Sequence, residues 1–389
     1  MCNNFNLEKL IVLCEKIVKD YEIDIKNRNI YEFRDFTIFL IYYYSINTDI
    51  KIQNKIKRNL KEIGNIIKNF KHNGSLWYGV SGFGLILHTI DQYYFKNEIA
   101  IAKNISINYV KKLIDYYSID ILGHRFYDMF YGLIGTGNFL LEINDSDSIN
   151  TIKQIVDIFD NLADTNLSMF ILKPNVYYND GLKQDYPYGY IDLSFSHGLA
   201  GILNFLIKCE KKKICKCESI INKIQIFIKK CAKNYNGVIY WDGRYNKNIT
   251  KPTEKINTSW CYGFLGICYS VYKKKNNFLL DDNIKYVMNK ICHFSYDKLF
   301  FCHGLVGDFY MLLKLLDQTN YYMSYDKKKE LIHIITKEVS YLYALENESM
   351  LYENTKFSIL TGLFSILIPL IKITSNCDIK IFDKFLLLE

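Results

Sequence analysis

The sequence is poor in the residues that separate domains. Only 4 of its 389 residues are proline, and no stretch rich in proline, or in glycine and serine, interrupts it. Because such stretches form the linkers between independently folded domains, their scarcity argues against a string of domains. We therefore expect a single domain over residues 1–389.

Apolar runs long enough to cross a membrane are also missing. The uncharged stretch Phe357–Ile371 is shorter than the roughly 20 apolar residues that a spanning helix needs, and it contains Pro369. It is expected to be a buried helix. Residues Met1 to Tyr21 carry charges throughout, and the 11 cysteines are an odd number, so neither a secretory signal nor a disulfide framework is indicated. We expect a cytoplasmic protein, attached peripherally to the inner membrane face only if partners hold it there.

The net charge of +8 comes from scattered lysines, and runs such as Lys211–Lys213 are short. Such a distribution is typical of a solvated surface. No nucleic-acid-binding motif accompanies it, so nucleic acid is not an expected partner.

What the sequence does contain is a repeat. In six segments a glycine is followed by an apolar residue and, seven positions later, by another apolar residue; a spacing of seven is two helical turns, so both residues face one side of a helix. The six glycines are Gly79, Gly132, Gly198, Gly263, Gly304 and Gly362.

Amphipathic, lysine-bearing stretches such as Ile220–Ala232 and Asp281–Cys292 lie between the repeats and predict outer helices with one wet face. Phe5–Glu22 and Phe33–Tyr44 add one more pair before the first repeat. The expected fold is all-α, with seven inner and seven outer helices around a central cavity. Residues 166–192 and 236–258 break the helical pattern and are expected to form small β or loop excursions.

Reactive side chains stand just before four of the six glycines: Asp128, His197, Cys261 and the pair Cys302-His303. Two thiolates and one imidazole from Cys261, Cys302 and His303 are donors that zinc prefers. Three protein ligands leave the fourth tetrahedral position open, which is typical of a catalytic zinc site. The alternative is that these cysteines are small core residues.

The chain offers its own controls. Cys292-His293 is a second Cys-His pair, but no glycine follows it, and we expect it to lie in the core. Cys268 is expected to be a packing residue. Cys209, Cys215 and Cys217 have no evident fourth ligand, so a second zinc site is not expected there.

His197 repeats the placement of His303 at the start of an inner helix. A neutral imidazole near a metal can take or give a proton close to pH 7, so an acid/base role is predicted for His197. Asp128 is the candidate to orient it or to hold its charge. A structural, hydrogen-bonded histidine is the alternative.

Three blocks carry a family resemblance: Ser196–Gly201, Trp260–Gly263 and Cys302–Gly304. In composition and order they resemble the signature blocks of the lanthionine synthetase C (LanC-type) cyclases, over a region from about Trp77 to Leu370. The resemblance implies an α/α toroid of seven inner and seven outer helices. It also implies one zinc ion per chain, held by Cys261, Cys302 and His303. His197, Asp128 and Tyr262 fall at positions that the family uses around the reaction centre.

By the same resemblance the substrate is a dehydrated precursor peptide, with a dehydratase and a transporter as further partners. The expected reaction adds cysteine thiols to dehydroalanine or dehydrobutyrine and closes (methyl)lanthionine rings. A non-catalytic LanC-like zinc protein that binds glutathione or a partner peptide is the alternative. A prenyltransferase-like toroid is disfavoured by the order of the ligands, and a toroidal glycosidase by the lack of a second carboxylate at a repeat.

The sequence departs from the family pattern at three positions. Asn257 stands where an arginine is usual, Leu265 where proline is usual, and Ser365 where glycine is usual. The first change removes a cation near the expected site. Either the role of this cation is dispensable, or another residue such as Arg125 or Lys255 supplies it.

Overall fold

The computed structural model describes most of the chain. The described residues are 2–23, 29–116, 123–163, 167–177, 180–248, 256–272, 281–293, 296–318, 323–344, 348–353, 355–375 and 377–389. Lys255 and parts of both expected excursions lie outside these ranges.

Helices dominate the described residues. They are α1 (Cys2–Ile23), α2 (Ile30–Tyr44), α3 (Ile50–Asn69), α4 (Val80–Asp91), α5 (Lys96–Asp115), α6 (His124–Tyr127), α7 (Leu133–Ile143), α8 (Ser146–Ala163), α9 (Asp180–Asp185), α10 (Leu199–Lys211), α11 (Glu218–Lys230), α12 (Phe264–Tyr272), α13 (Asp281–Cys292), α14 (Leu305–Leu316), α15 (Tyr325–Ala344), α16 (Glu348–Leu351), α17 (Leu363–Ser375) and α18 (Ile381–Phe385).

The chain divides into two compact units. The first comprises residues 1–65, 284–387 and 389, and the second comprises residues 66–283 and 388. The single domain expected over residues 1–389 stays a prediction.

In the second unit, four helices that follow repeat glycines pack in chain order: α4 on α7, α7 on α10, and α10 on α12. Each of the first three also packs on the helix that follows it, α5, α8 and α11. The outer helix α11 has one wet face, because Ile220, Ile224 and Ile228 are buried while its lysines are on the other side. Inner and outer helices therefore alternate as expected.

In the first unit, α17 packs on α2 and α14, while α1 and α15 pack on α17 and on each other. With α2, α14 and α17 here and four inner helices in the second unit, the described residues contain the seven inner helices expected from the six repeats and the one added pair before them. Helix α17 has Pro369 inside it, and its residues from Leu363 to Ile371 are buried. The expectation of a buried helix is confirmed, although the helix begins six residues after Phe357.

The repeat pattern correctly located the core. All twelve apolar positions, one and eight residues after each repeat glycine, are at most 1% exposed. They are Val80, Leu87, Leu133, Leu140, Leu199, Leu206, Phe264, Val271, Leu305, Leu312, Leu363 and Leu370. Fully burying one such side chain contributes about 1.5–3 kcal/mol, so these positions are a large part of what holds the inner helices together.

Four of the five short strands described in the second unit lie within the two excursions, and the fifth, β3, ends just before residue 236. β1 (Ile171–Leu172) and β2 (Tyr190–Asp192) pair in antiparallel register, and β2 also pairs with β5 (Arg244–Tyr245). β3 (Lys233–Tyr235) forms a separate hairpin with β4 (Val238–Tyr240). The two excursions are thus joined by one three-stranded sheet, a pairing that the sequence did not reveal.

Among the described helices, none has both the length and the apolar character needed to cross a bilayer.

Candidate active site

Backbone hydrogen bonds join the turns that precede successive inner helices of the second unit. In each, an amide of one turn donates to the carbonyl two residues before the next repeat glycine. The bonds are Trp77 N to Phe130 O (3.2 Å), Met129 N to Ser196 O (3.1 Å) and Phe195 N to Cys261 O (3.0 Å). Side chains next to the repeat glycines are therefore presented side by side.

Asp128 fixes the turn before α7. Its Oδ1 accepts hydrogen bonds from the amides of Phe130 (3.0 Å), Tyr131 (2.7 Å) and Gly132 (3.0 Å). The residue is 1% exposed. A buried carboxylate must be hydrogen-bonded to be tolerated, and these amides meet that need on one oxygen. The second oxygen, Oδ2, points to His197.

His197 lies with its Nδ1 2.9 Å from Oδ2 of Asp128. Burial of the ring lowers its pKa, but the hydrogen bond and negative charge of Asp128, helped by Asp192 and Cys261, outweigh burial and raise the pKa of His197 above its ordinary value. Phe130 stacks on the imidazole with ring centroids 5.0 Å apart. The ring is thus fixed by Asp128 and Phe130, and Nε2 is the nitrogen that can face a substrate.

Cys261 is carried by a tight turn before α12. The Asn257 side chain accepts a hydrogen bond from the Ser259 amide (3.0 Å), and the Asn257 carbonyl accepts one from Phe264 N (3.0 Å). A Cβ on Gly263 would lie 2.1 Å from Ser259 N, so only glycine fits this turn. The amide of Phe195 bonds the Cys261 carbonyl, which places the cysteine's turn directly beside that of His197.

Tyr262 extends the same cluster. Its ring lies 5.5 Å from the imidazole of His197, and the Arg244 guanidinium lies 4.7 Å from the Tyr262 ring centroid. Gly243 makes this approach possible: its φ is +70°, and a Cβ there would lie 2.8 Å from the Tyr262 carbonyl. Sequence reasoning missed Arg244, since the only available signal was a glycine before an arginine in a short strand.

Of the two residues considered as replacements for the usual arginine, Arg125 contacts a different tyrosine. Its guanidinium lies 4.9 Å from the centre of the Tyr131 ring. Lys255 falls outside the described residues. Arg244 is therefore the described cation that stacks on Tyr262.

In the first unit, Cys302 and His303 form the turn before α14. Cys302 donates its amide to the Leu360 carbonyl (3.0 Å), the same turn-to-turn bond seen in the second unit. Its side chain is buried, whereas the His303 side chain is 38% exposed. Nε2 of His303 lies 3.4 Å from Oε2 of Glu353. If Nε2 carries the proton towards Glu353, Nδ1 is the nitrogen with a lone pair for a metal.

The structure thus brings Asp128, His197, Cys261 and Tyr262 together in the second unit, and Cys302 with His303 in the first. Cys261 of the second unit supplies one sulfur atom, and Cys302 and His303 of the first supply another sulfur atom and an imidazole nitrogen. This set of donors fits zinc.

The control cysteines differ from expectation in one case. Cys292 and His293 are both exposed at the end of α13, and Nδ1 of His293 lies 2.8 Å from the Asn289 carbonyl of the same helix. The prediction that this pair belongs to the core was wrong, because the apolar face of α13 ends at Ile291. Cys268 is buried as expected, and burial raises its pKa.

Comparison with known proteins places the chain in a family. The family model "Lanthionine synthetase C-like protein" matches residues 36–387. The chain belongs to the lanthionine synthetase C-like family. It is also 24% identical over 356 residues to the nisin biosynthesis protein NisC of Lactococcus lactis subsp. lactis, a match that covers 84% of each chain.

A solved structure, nisin cyclase, has the same fold as this member of the lanthionine synthetase C-like family. The TM-score is 0.79 with 20% identity, and the match covers 96% of each chain. The α/α toroid implied by the sequence resemblance is thereby confirmed.

The structure shows how two of the departures from the family pattern are accommodated. Ser365 Oγ accepts a hydrogen bond from Phe301 N (3.0 Å) and donates one to the Gly362 carbonyl (2.7 Å), so the serine is satisfied where glycine is usual. Leu265 is buried at the first turn of α12, where no proline is needed to start the helix.

Proposed function

We propose that this protein is a zinc-dependent lanthipeptide cyclase that closes (methyl)lanthionine rings in a dehydrated precursor peptide. Family membership and the likeness to nisin cyclase support this assignment. The observation that carries it is local: an imidazole oriented by a buried carboxylate lies beside the turn of a cysteine that can bind a metal. A dehydratase, a transporter and a cytoplasmic location belong to the same proposal.

The proposed ligands are Cys261, Cys302 and His303, with one ion per chain. Since they come from both compact units, the proposal also requires that residues 1–389 form one domain. When bound, zinc would lower the pKa of a substrate cysteine thiol, which is otherwise near 8.5, so that the thiolate is present at neutral pH. Glu353 would hold the His303 ring through Nε2.

His197 is the proposed proton carrier. As the substrate thiolate adds to the β-carbon of dehydroalanine or dehydrobutyrine, a carbon–sulfur bond forms and the double bond becomes an enolate. His197 delivers a proton from Nε2 to the α-carbon while Asp128 holds Nδ1. The thiol loses one proton and the α-carbon gains one, so the reaction is an isomerisation.

Arg244 and Tyr262 are proposed to stabilise the negative charge that develops on the enolate oxygen. The guanidinium stacks on the Tyr262 ring, which itself contacts the His197 ring. A cation held in place before the reaction costs little reorganisation when the charge appears. Arg244 would thus supply what Asn257 cannot, and this weakens the case for the non-catalytic alternative.

The test is a cyclisation assay on a dehydrated, cysteine-bearing peptide. We expect free thiols to disappear faster than in an enzyme-free control, without a change in peptide mass. A chelator should remove only the enzymatic part. If the peptide binds but its thiols disappear at the uncatalysed rate, the cyclase proposal fails and the peptide- or thiol-binding alternative replaces it.

A further inference from the structure

One residue in each repeat stands directly before the repeat glycine. In the second unit these residues are Tyr78, Tyr131, His197 and Tyr262. All four carry rings, although only His197 and Tyr262 have a part in the proposed reaction. Because the turns that carry them are joined by backbone hydrogen bonds, the four rings follow one another along the starts of α4, α7, α10 and α12. Tyr78 and Tyr131 are the two whose purpose is unexplained.

Tyr78 and Tyr131 form a flat surface. Their rings are stacked, with centroids 4.8 Å apart and planes inclined by 15°. The Arg125 guanidinium lies 4.9 Å from the centre of the Tyr131 ring. Tyr78 is 41% exposed, which is unusual for an aromatic residue at the start of a buried helix. We call Tyr78, Tyr131 and Arg125 the tyrosine shelf.

Hydrogen bonds to its backbone carbonyls hold the shelf in position. Asn73 Nδ2 donates a hydrogen bond to the Tyr78 carbonyl (2.7 Å), and Tyr109 Oη donates one to the Tyr131 carbonyl (2.8 Å). Burial raises the pKa of Tyr131 to about 12, so its phenol stays neutral. A surface fixed in advance loses little conformational entropy when a ligand covers it, which is the property of a binding site rather than of a solvated patch.

The shelf continues into the candidate active site. Phe130, next to Tyr131, stacks on the His197 ring. On the other side of His197, Tyr262 is covered by Arg244 as Tyr131 is by Arg125. An arginine stacked on a tyrosine therefore flanks the proposed proton carrier on both sides. Rigid tyrosine and arginine surfaces of this kind are those that protein interfaces use to bind peptide chains.

We propose that the tyrosine shelf is a subsite for the precursor peptide, and that it takes an apolar or aromatic side chain of the substrate. This inference rests on the proposed cyclase function. Tyr78 stacks on the side chain, and Arg125 donates hydrogen bonds to a carbonyl or carboxylate oxygen of the same segment.

The spacing predicts where that side chain lies in the substrate. Neighbouring inner helices are about 8–10 Å apart, so the Tyr131 turn lies about that far from the His197 turn. The Tyr78 ring is 4.8 Å further along, beside the Tyr131 ring. Since an extended peptide advances about 3.3 Å per residue, the bound side chain lies about three to five residues from the dehydroamino acid that reacts.

Synthetic peptides test this. Each contains one dehydroalanine and one cysteine in a glycine and serine background, with a single phenylalanine placed three to five residues to either side of the dehydroalanine, or none. With the wild-type protein, one placement should lower KM relative to the peptide without phenylalanine. Tyr78→Ala should raise KM for that peptide about tenfold and abolish the preference, with kcat changed less than about threefold. Arg125→Gln should raise KM both for the preferred phenylalanine peptide and for the peptide without phenylalanine.

Tyr93→Ala is the matched control, since Tyr93 is an exposed tyrosine of the same unit at 86% exposure. The proposal is overturned if no placement is preferred, if Tyr78→Ala keeps the preference, or if Tyr93→Ala has the same effect. A fluorescent version of the preferred peptide, with cysteine replaced by serine, separates this outcome from failure of the cyclase proposal. If the wild-type protein binds this peptide about tenfold more tightly than Tyr78→Ala but never accelerates thiol loss, the shelf stands and the cyclase proposal falls.

Discussion

The first unit contains the dipeptide Cys-His twice, in two very different settings. Cys292-His293 ends the amphipathic helix α13, where both side chains are exposed and His293 contacts a carbonyl of its own helix. Cys302-His303 precedes Gly304 in the turn before α14, with the thiol buried and the imidazole facing Glu353. The residue types are the same. What differs is the repeat glycine, which creates the tight turn that presents the pair at the start of an inner helix.

The largest expected difference between the two pairs is in the zinc content of variants that lack the cysteine. We expect Cys302→Ala to lose its zinc, because two remaining ligands do not hold the ion, whereas Cys292→Ala should keep one ion per chain. Elemental analysis of the purified variants measures this, and circular dichroism checks that the helices persist. Equal zinc content in both variants would remove Cys302 from the ligand set.

A similar contrast is expected between histidines for the reaction rate. His197→Ala should keep zinc but slow cyclisation by about 10²–10⁴-fold, the usual range for one acid/base group. His293→Ala should leave the rate unchanged, since its ring contacts only its own helix among the described residues. Thiol loss from a dehydrated peptide, followed over time, gives both rates. Unchanged kinetics for His197→Ala would mean that water or another side chain delivers the proton.

The two Cys-His pairs also show which features of the molecule can be predicted from the sequence alone. A period of seven after a glycine was enough to place the twelve core positions of the inner helices, because burial of one helix face is a local and repetitive requirement. The same glycine separated Cys302 from Cys292 as a candidate ligand. The error at Cys292-His293 arose because helix ends are poorly defined by periodicity, and the pair lies just beyond the apolar face of α13.

Other features of the site were beyond sequence reasoning. The approach of Arg244 to Tyr262 depends on β2 pairing with β5, two strands from segments more than fifty residues apart. Such pairings are set by tertiary contacts that leave little trace in two- or three-residue strands. The contact between His303 and Glu353 joins residues of two separate turns, and no sequence motif indicates it.

The next prediction concerns the contact between His303 and Glu353, and its expected effect is of intermediate size. Glu353→Ala should weaken zinc binding by about 10–100-fold, because a carboxylate that holds the second nitrogen of a ligand histidine fixes its orientation and raises its basicity. Competition with a coloured chelator measures the affinity. Glu330→Ala is the control, since Glu330 pairs with Lys327 on the exposed face of α15. Equal affinities for the two variants would show that Glu353 does not support the ligand.

The smallest expected effect is a shift in pH dependence, and it concerns the other carboxylate–histidine pair. Asp128→Asn keeps an oxygen for the amides of Phe130, Tyr131 and Gly132, so the turn should survive. It removes the negative charge beside Nδ1, which is what raises the pKa of His197 against the opposing effect of burial. If the imidazolium gives the proton, activity falls as pH rises through this pKa, and the fall should begin at lower pH in the variant.

Stability should respond with the same sign. A histidine whose pKa is raised in the folded protein adds stability that is fully present below its unfolded value of 6.5 and is lost as pH rises through the folded value. Asp128→Asn should therefore reduce the free energy of unfolding more at pH 5 than at pH 9. Urea unfolding at the two pH values measures the difference. A loss that is the same at both, together with an unshifted rate profile, would mean that Asp128 holds only the backbone of its own turn and leaves the protonation of His197 alone.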